Sequence, residues 1–247
     1  MWPVLVDVGG FELRTYGVLG ALGFLAATWL GLRLADERGW PRERIIDLIF
    51  YGSLCSMLSA RLVFVAQNPE TVGSWIDVLN PRGLGYVFYG GAFGGVAAFV
   101  VLIRRYGLDM ADVLDGLGLT APVAHAVSRL GCFGAGCCHG RPTDLPWGVT
   151  FHDPLAAAPL GVPLHPTQLY EAAGLAALSG ALWAARGRAR PGDLFLGWLG
   201  GYAALRFVVE LFRGDASRGF VGPLSTSQAV ALTVGLGVAA AVVWRRR

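Results

Sequence analysis

Seven apolar stretches alternate with short clusters of arginine along the chain, over about residues 16–34, 45–66, 88–103, 112–128, 168–185, 193–212 and 226–244. A membrane-spanning helix needs about 20 consecutive, mostly apolar residues. The pattern therefore predicts an all-α polytopic membrane protein with about seven transmembrane helices. The third and fourth stretches are short and Gly-rich, which suits helices that tilt, break or end inside the protein. Between spans, the Asn-, Pro- and Gly-containing segment 67–87 predicts an arm lying along the membrane surface. The segment 129–167 is long for a plain connection. Its aromatic residues and the alternating run from Trp147 to Phe151 predict a small folded cap, or head, containing a strand. No repeat or internal boundary divides the chain, so residues 1–247 read as a single transmembrane domain.

The arginines supply the orientation. Arg33, Arg38, Arg42 and Arg44 follow the first stretch, Arg104 and Arg105 the third, Arg186, Arg188 and Arg190 the fifth, and Arg245, Arg246 and Arg247 end the chain. Basic loops stay in the cytoplasm. The C-terminus is thus expected in the cytoplasm, and the N-terminus and the 129–167 cap outside. Asp7 and Glu12 precede the first apolar run, where a cleavable signal peptide would carry basic residues, so that run is expected to remain as a helix. Composition agrees: 54% of residues are hydrophobic and 15% charged, with a mean hydropathy of +0.53. That is too little charge to cover a soluble domain of this length. All 20 basic side chains are Arg, the net charge is only +3, and no basic run is interleaved with aromatics, which argues against nucleic acid as a partner.

Polar residues inside apolar spans are costly and mark sites; here they include Arg61, Asp115, Arg129, Glu171, Arg206 and Glu210. Arg206 and Glu210 stand four apart and can pair on one helix face. Arg213 is expected one turn further along that face, so two arginines would look toward an anionic substrate entering from the outer leaflet. In His165-Pro166-Thr167-Gln168-Leu169-Tyr170-Glu171, Thr167 suits a helix N-cap, which leaves His165, Tyr170 and Glu171 to other roles. Tyr16-Gly17 suits an interfacial anchor. Around Tyr89, Gly90 and Gly91, bare backbone would admit either a packed helix or a headgroup. The run from Arg129 through Gly131, Cys132, Cys137, Cys138, His139 and Gly140 to Arg141 has three readings. One is a Gly-rich turn, one an anion site of N–H groups and guanidinium forks, and one a metal site. Adjacent Cys137 and Cys138 are poorly spaced to bind one ion, so no metal is assigned; a Cys132–Cys137 or Cys132–Cys138 disulfide is the easier bridge. Cys55 reads as an apolar filler, Asp115 as the partner of an arginine, and His125 as a packing residue.

Taken together, these motifs resemble the prolipoprotein diacylglyceryl transferase family. The resemblance runs in order over nearly the whole chain: Tyr16-Gly17, Ser59-Ala60-Arg61, the aromatic-x-Gly-Gly element at 88–91, Arg129-Leu130-Gly131, the string His165 to Glu171, and Arg206 to Arg213. It implies seven transmembrane helices with an outer N-terminus, an arm and a head. It also implies transfer of the diacylglyceryl group of phosphatidylglycerol to the cysteine thiol of a prolipoprotein signal peptide (the lipobox), with glycerol-1-phosphate leaving. The active site would face the outer leaflet of the cytoplasmic (inner) membrane, the partners would be those two substrates and membrane lipids, and no cofactor is implied. Arg129 and Arg206 match the essential arginines and Tyr16 the tyrosine near the lipid. The site expected on this basis has Arg129, Arg206, Tyr89 and His165 as catalytic residues. Tyr16, Arg61, Gly90, Gly91, Gly131, Gly140, Tyr170, Glu171, Glu210 and Arg213 would bind substrate. The chain departs from the family pattern at Tyr89, where a His is expected, and at Cys132 and Cys137, where Asn and Glu are expected. A phenol of pKa about 10 is a weak proton acceptor at neutral pH. Either the arginines suffice to activate the thiol, or His139 or His165 is the base, or the chain is a non-catalytic phospholipid-binding or lipid-flipping paralogue. A thiol-redox or metal-binding protein is the remaining alternative.

Overall fold

The structure is a computed structural model that describes residues 2–71, 85–215 and 219–245. Most of the expected arm, and Arg246 and Arg247, lie outside the described residues. Seven α-helices are found among those described: α1 (Thr15–Arg38), α2 (Arg42–Gln67), α3 (Phe88–Tyr106), α4 (Met110–Ala135), α5 (Thr167–Ala185), α6 (Asp193–Glu210) and α7 (Thr226–Arg245). Each overlaps one of the seven apolar stretches. Helices α1, α2 and α7 are long and apolar enough to cross a membrane, at a hydropathy of 1.6 to 1.7. The distribution of side chains is that of a membrane protein. Phe24, Trp29, Phe50, Phe93 and Leu236 are exposed on the helices, while Arg61, Asp115, Gln168, Glu171 and Glu210 are buried. Lipid tails accept such apolar faces and refuse unpaired polar groups.

The fold is not purely helical. Strands β1 (Val4–Val8) and β2 (Phe11–Arg14) form an antiparallel hairpin. Gly9 and Gly10 both take positive φ at its turn, as a tight hairpin turn requires. β3 (Val149–Thr150) pairs with β4 (Pro163–Leu164), and β5 (Phe220–Val221) with β6 (Leu224–Ser225). The strand expected across Trp147–Phe151 is thus confined to two residues, because Gly148 is tied into a turn by its hydrogen bond to the Leu145 carbonyl. The segment has a small core of its own in Phe151, Ala158 and Leu164.

The chain forms two compact units, residues 31–113 and residues 1–30 with 114–247. In the 31–113 unit, α2 packs on α3 through glycines. A Cβ on Gly90 would lie 2.8 Å from the Ser59 carbonyl oxygen, and one on Gly91 3.2 Å from the Ala60 Cβ. Small residues let the two backbones approach, the main source of helix association in lipid. Near the other end of this pair, Ala35, Ile45, Leu48, Ile103 and Val113 form a buried cluster, and Tyr106 donates to Asp47 at 2.7 Å. Arg38 pairs with Asp112, which also accepts from the Trp40 indole.

In the other unit, α1 and α4 meet at Gly23 and Gly131: Cβ atoms there would lie 2.7 Å from the Ala124 carbonyl oxygen and 3.2 Å from the Tyr16 Cα. Helix α6 begins after Gly192, which has no side chain to cap it. The cap comes from α4. Asp115 accepts from the backbone N–H groups of Gly192 (2.7 Å) and Phe195 (2.9 Å), so it satisfies helix-end donors rather than the arginine expected for it. Gly118, one turn on, admits this approach, since a Cβ there would stand 2.9 Å from the Leu194 carbonyl oxygen. Helix α7 carries its own reciprocal cap: Gln228 N–H donates to Ser225 Oγ and Ser225 N–H to Gln228 Oε1, both at 3.1 Å, a capping box.

Asp115→Ala is expected to lower the thermal midpoint of the detergent-solubilised protein, at about 1–3 kcal/mol for each buried N–H left unmatched; Asp115→Asn, which retains one acceptor, should fall between. A thermal melt of Gly90→Ala should likewise show a loss, because Ser59 backbone blocks the added methyl. The same change at Gly20, where a Cβ meets nothing within 4 Å, should leave the melt unchanged.

Candidate active site

Glu171 lies in the second turn of α5 and is 1% exposed. Its carboxylate gathers donors from two other helices. Arg129 of α4 reaches Oε1 with Nη2 at 3.0 Å, and Tyr202 of α6 donates its phenol to the same oxygen at 2.9 Å. Arg206 of α6 reaches Oε2 with Nη1 at 3.5 Å. The second nitrogen of Arg206 turns to Ser227 Oγ at the start of α7 (3.0 Å) and to Glu210 at 2.7 Å. The two arginines predicted to share a site therefore converge on one carboxylate, and the predicted Arg206–Glu210 pair is formed. Arg129 also donates from Nε to His125 Nε2 at 3.2 Å. An Nε2 that accepts this bond has no proton for Glu171, so the 3.7 Å approach of His125 to Glu171 is a contact between a neutral ring and a carboxylate. Two guanidinium and two carboxylate groups make this core formally neutral, as a low-dielectric interior demands.

The segment 139–170 and the turn after α6 supply a second set of groups. Residues 139–142 run between two other backbone segments: Gly140 N–H donates to the His165 carbonyl, His165 N–H to the Arg141 carbonyl, and Arg141 N–H to the Phe212 carbonyl, all at 2.9–3.0 Å. Gly140 is required there, because a Cβ would meet the Phe212 carbonyl oxygen at 2.9 Å and collide with His165. The rings of His165, Tyr170 and Phe212 stand 5.2–6.1 Å apart. The Trp147 indole donates to the Tyr170 hydroxyl at 2.8 Å, which leaves the hydroxyl proton for His165 Nδ1 at 3.2 Å. Burial, and then the charge of Arg141, push the His165 imidazole below its usual value, so it is neutral at pH 7.

Several expectations need correction. Helix α6 ends at Glu210, so Arg213 is not one turn further along that helix. It lies in the following turn, bridged through its backbone to Gly140, and its guanidinium grips Asp215 with two bonds of 2.6 and 2.7 Å. Burial raises the pKa of the Asp215 carboxyl, but the bond and charge of Arg213 outweigh it and hold the group below the usual carboxylate range. Thr167 is not an N-cap. It is the first residue of α5, after Pro166, and its hydroxyl donates to the Cys138 carbonyl at 2.8 Å while Gln168 Nε2 donates to that of Cys137 at 2.7 Å. No disulfide forms; all four cysteines are free.

Tyr16 is about half exposed, in the first turn of α1 beside Gly131. Tyr89, Gly90, Gly91 and Arg61 belong to the 31–113 unit. There Gly90 and Gly91 face α2, Tyr89 is 66% exposed, and buried Arg61 donates to the Gly85 carbonyl at 3.3 Å and covers the Tyr86 ring. Sequence reasoning passed over Tyr202 and Ser227 and assigned His125 to packing. Tyr202, Arg206 and Glu210 recur every fourth residue on one face of an apolar helix, and Ser225-x-x-Gln228 marks a helix start; those two signals would have found the first pair. An open apolar groove of about 340 Å³ lies between α6 and α7, lined by residues that include Phe207, Ala231 and the exposed Val208 and Leu236.

Known proteins resemble this chain over nearly its whole length. The family model described as prolipoprotein diacylglyceryl transferase matches residues 3–244. A phosphatidylglycerol–prolipoprotein diacylglyceryl transferase of Clostridium tetani is 34% identical over 241 residues, covering 96% of each chain. Proteins of that name from Vibrio vulnificus and Methylobacillus flagellatus are 34% and 32% identical over 98% of this chain, covering 90% and 94% of their own lengths. With polar groups buried among lipid-facing helices and the match spanning nearly its entire length, this chain belongs to the prolipoprotein diacylglyceryl transferase family.

Proposed function

We propose that this protein transfers the diacylglyceryl group of phosphatidylglycerol to the lipobox cysteine thiol of a prolipoprotein. In the reaction a sulfur–carbon bond forms to the glyceryl group, its carbon–oxygen bond to phosphate breaks, and glycerol-1-phosphate leaves. The observation that carries the reading is the meeting of Arg129 and Arg206 at Glu171, within 3.0 and 3.5 Å. Each guanidinium has five N–H donors, more than Glu171 engages, so the carboxylate orients both forks while donors remain for a phosphodiester. Charge developing on the leaving phosphate is stabilised strongly where water is excluded. The same cations favour the thiolate of the incoming cysteine, whose unperturbed pKa is about 8.5.

The remaining roles follow from the residues. Tyr89 and His165 are the proposed proton acceptors, His165 through the Tyr170 hydroxyl that donates to its Nδ1. Tyr16, Arg61, Gly90, Gly91, Gly131, Gly140, Tyr170, Glu171, Glu210 and Arg213 would bind the lipid or peptide. The apolar groove beside α6 suits acyl chains. In this reading all seven helices span the cytoplasmic (inner) membrane as one domain, with the N-terminus outside and the C-terminus in the cytoplasm. The 129–167 segment is a periplasmic head, 67–87 an arm, and the site opens toward the outer leaflet. The alternation of arginine-rich loops supports that orientation.

Arg206→Ala is expected to abolish lipidation of a lipobox peptide in phosphatidylglycerol vesicles, and Arg206→Lys, which keeps the charge but not the fork, to slow it by about 10²–10³. A melt of the Lys variant near the wild-type midpoint separates lost chemistry from lost folding; full activity in either variant removes Arg206 from the mechanism. Tyr89→Phe should slow transfer in the same assay, and an unchanged rate would show that its phenol takes no proton.

A further inference from the structure

The three cysteines at the end of α4 are placed with more care than a turn requires. Cys132 sits in the last turn of α4, and Cys137 and Cys138 follow Gly136. Their three sulfur atoms all lie within 4.8 Å of one another. Adjacent residues on a helix or strand send their side chains apart, which is why the sequence argued against Cys137 and Cys138 sharing an ion. The structure removes that objection. Cys138 has φ 59°, the one non-glycine residue with positive φ among those described, and this left-handed turn swings its Cβ so that neighbouring thiols converge. Non-glycine residues hold such conformations at a cost, and they concentrate at functional sites. The carbonyls of both cysteines are fixed by Thr167 and Gln168 of α5, and the buried Cys132 sulfur lies 3.9 Å from Arg129 Nη1.

We propose that Cys132, Cys137 and Cys138 form a three-coordinate site for a soft monovalent cation, Cu(I). Metal–thiolate bonds of about 2.3 Å place ligand sulfurs about 4 Å apart in a trigonal site, a small contraction of the cluster seen. Thiolates select Cu(I) or Zn(II). Structural zinc sites take all four ligands from the protein, and no fourth His, Asp or Glu atom joins this group among the described residues; three thiolates alone complete a trigonal Cu(I) site. A bound ion would tie the end of α4, one turn after Arg129, to a turn already clamped to the start of α5, one turn before Glu171. It would therefore stiffen the junction that brings those two residues together. The site does not depend on the proposed transfer reaction.

The test titrates the full-length, reduced protein in detergent with Cu(I) against a competing Cu(I) chelator, without oxygen. One Cu(I) per chain, an ultraviolet thiolate-to-copper band and a raised thermal midpoint are expected. Cys138→Ser should weaken binding at least 100-fold, while Cys55→Ser, on α2, should bind as the wild type does. Cys138→Gly should lose binding and melt at or above the wild-type temperature without metal, because glycine relieves the left-handed strain; this variant keeps the test independent of misfolding. Wild-type affinity in Cys138→Gly, no Cu(I) retained against the chelator, or tight 1:1 Zn(II) binding in place of Cu(I) would each overturn the assignment.

Discussion

A single buried carboxylate organises this protein. Glu171 has almost no contact with solvent, and burying it unpaired would cost several kcal/mol after relaxation. Arg129, Tyr202 and Arg206 offset that cost, and they come from two helices on either side of α5 in the sequence. Arg206 then extends the network to Glu210 and, through Ser227, to the first turn of α7. Four helices are thus joined by bonds whose strength grows as water is excluded. The proposed chemistry uses the same fact. Guanidinium groups already held in place need no reorganisation when a phosphate arrives, and preorganised donors are what transition-state charge requires.

Holding that network demands that backbones come close, and small residues permit it. Gly23 and Gly131 bring α1 against α4, Gly118 brings α4 to the start of α6, and Gly140 lets its own segment pass between His165 and Phe212. The close approaches also let one element satisfy another's backbone. Asp115 caps α6 across helices, and Thr167 and Gln168 hold the carbonyls of the cysteine turn. Asp115 is itself buried, so it supplies the N–H donors of Gly192 and Phe195 with what solvent would otherwise supply.

The positions where the chain differs from the expected motifs fall at two different kinds of place. Tyr89 lies in the 31–113 unit and is largely exposed, whereas Glu171 is buried. Where the resemblance implied Asn and Glu, Cys132 and Cys137 are thiols that meet a third at Cys138, and Cys132 lies 3.9 Å from Arg129 Nη1. Thiols are poorer hydrogen-bonding partners for a guanidinium than an amide or carboxylate would be, so their convergence asks for an explanation other than orientation of that arginine. Metal ligation supplies one.

The helices were legible because lipid imposes a crude rule: an apolar run of sufficient length must close its own hydrogen bonds. All seven stretches are helical, and the pairing of Arg206 with Glu210 follows from helical spacing alone. Polar residues inside those runs marked the site for the same reason. What tertiary structure decided was who meets whom. Glu171 and Arg129 are 42 positions apart in the sequence, and nothing local says that Tyr202 and Ser227 join them or that Asp115 would cap a helix instead of pairing with an arginine. The meeting of Cys132, Cys137 and Cys138 turned on one backbone angle at Cys138. Local pattern reports what a segment must bury; the choice of partner depends on how distant segments pack, and that is settled only when the whole chain folds.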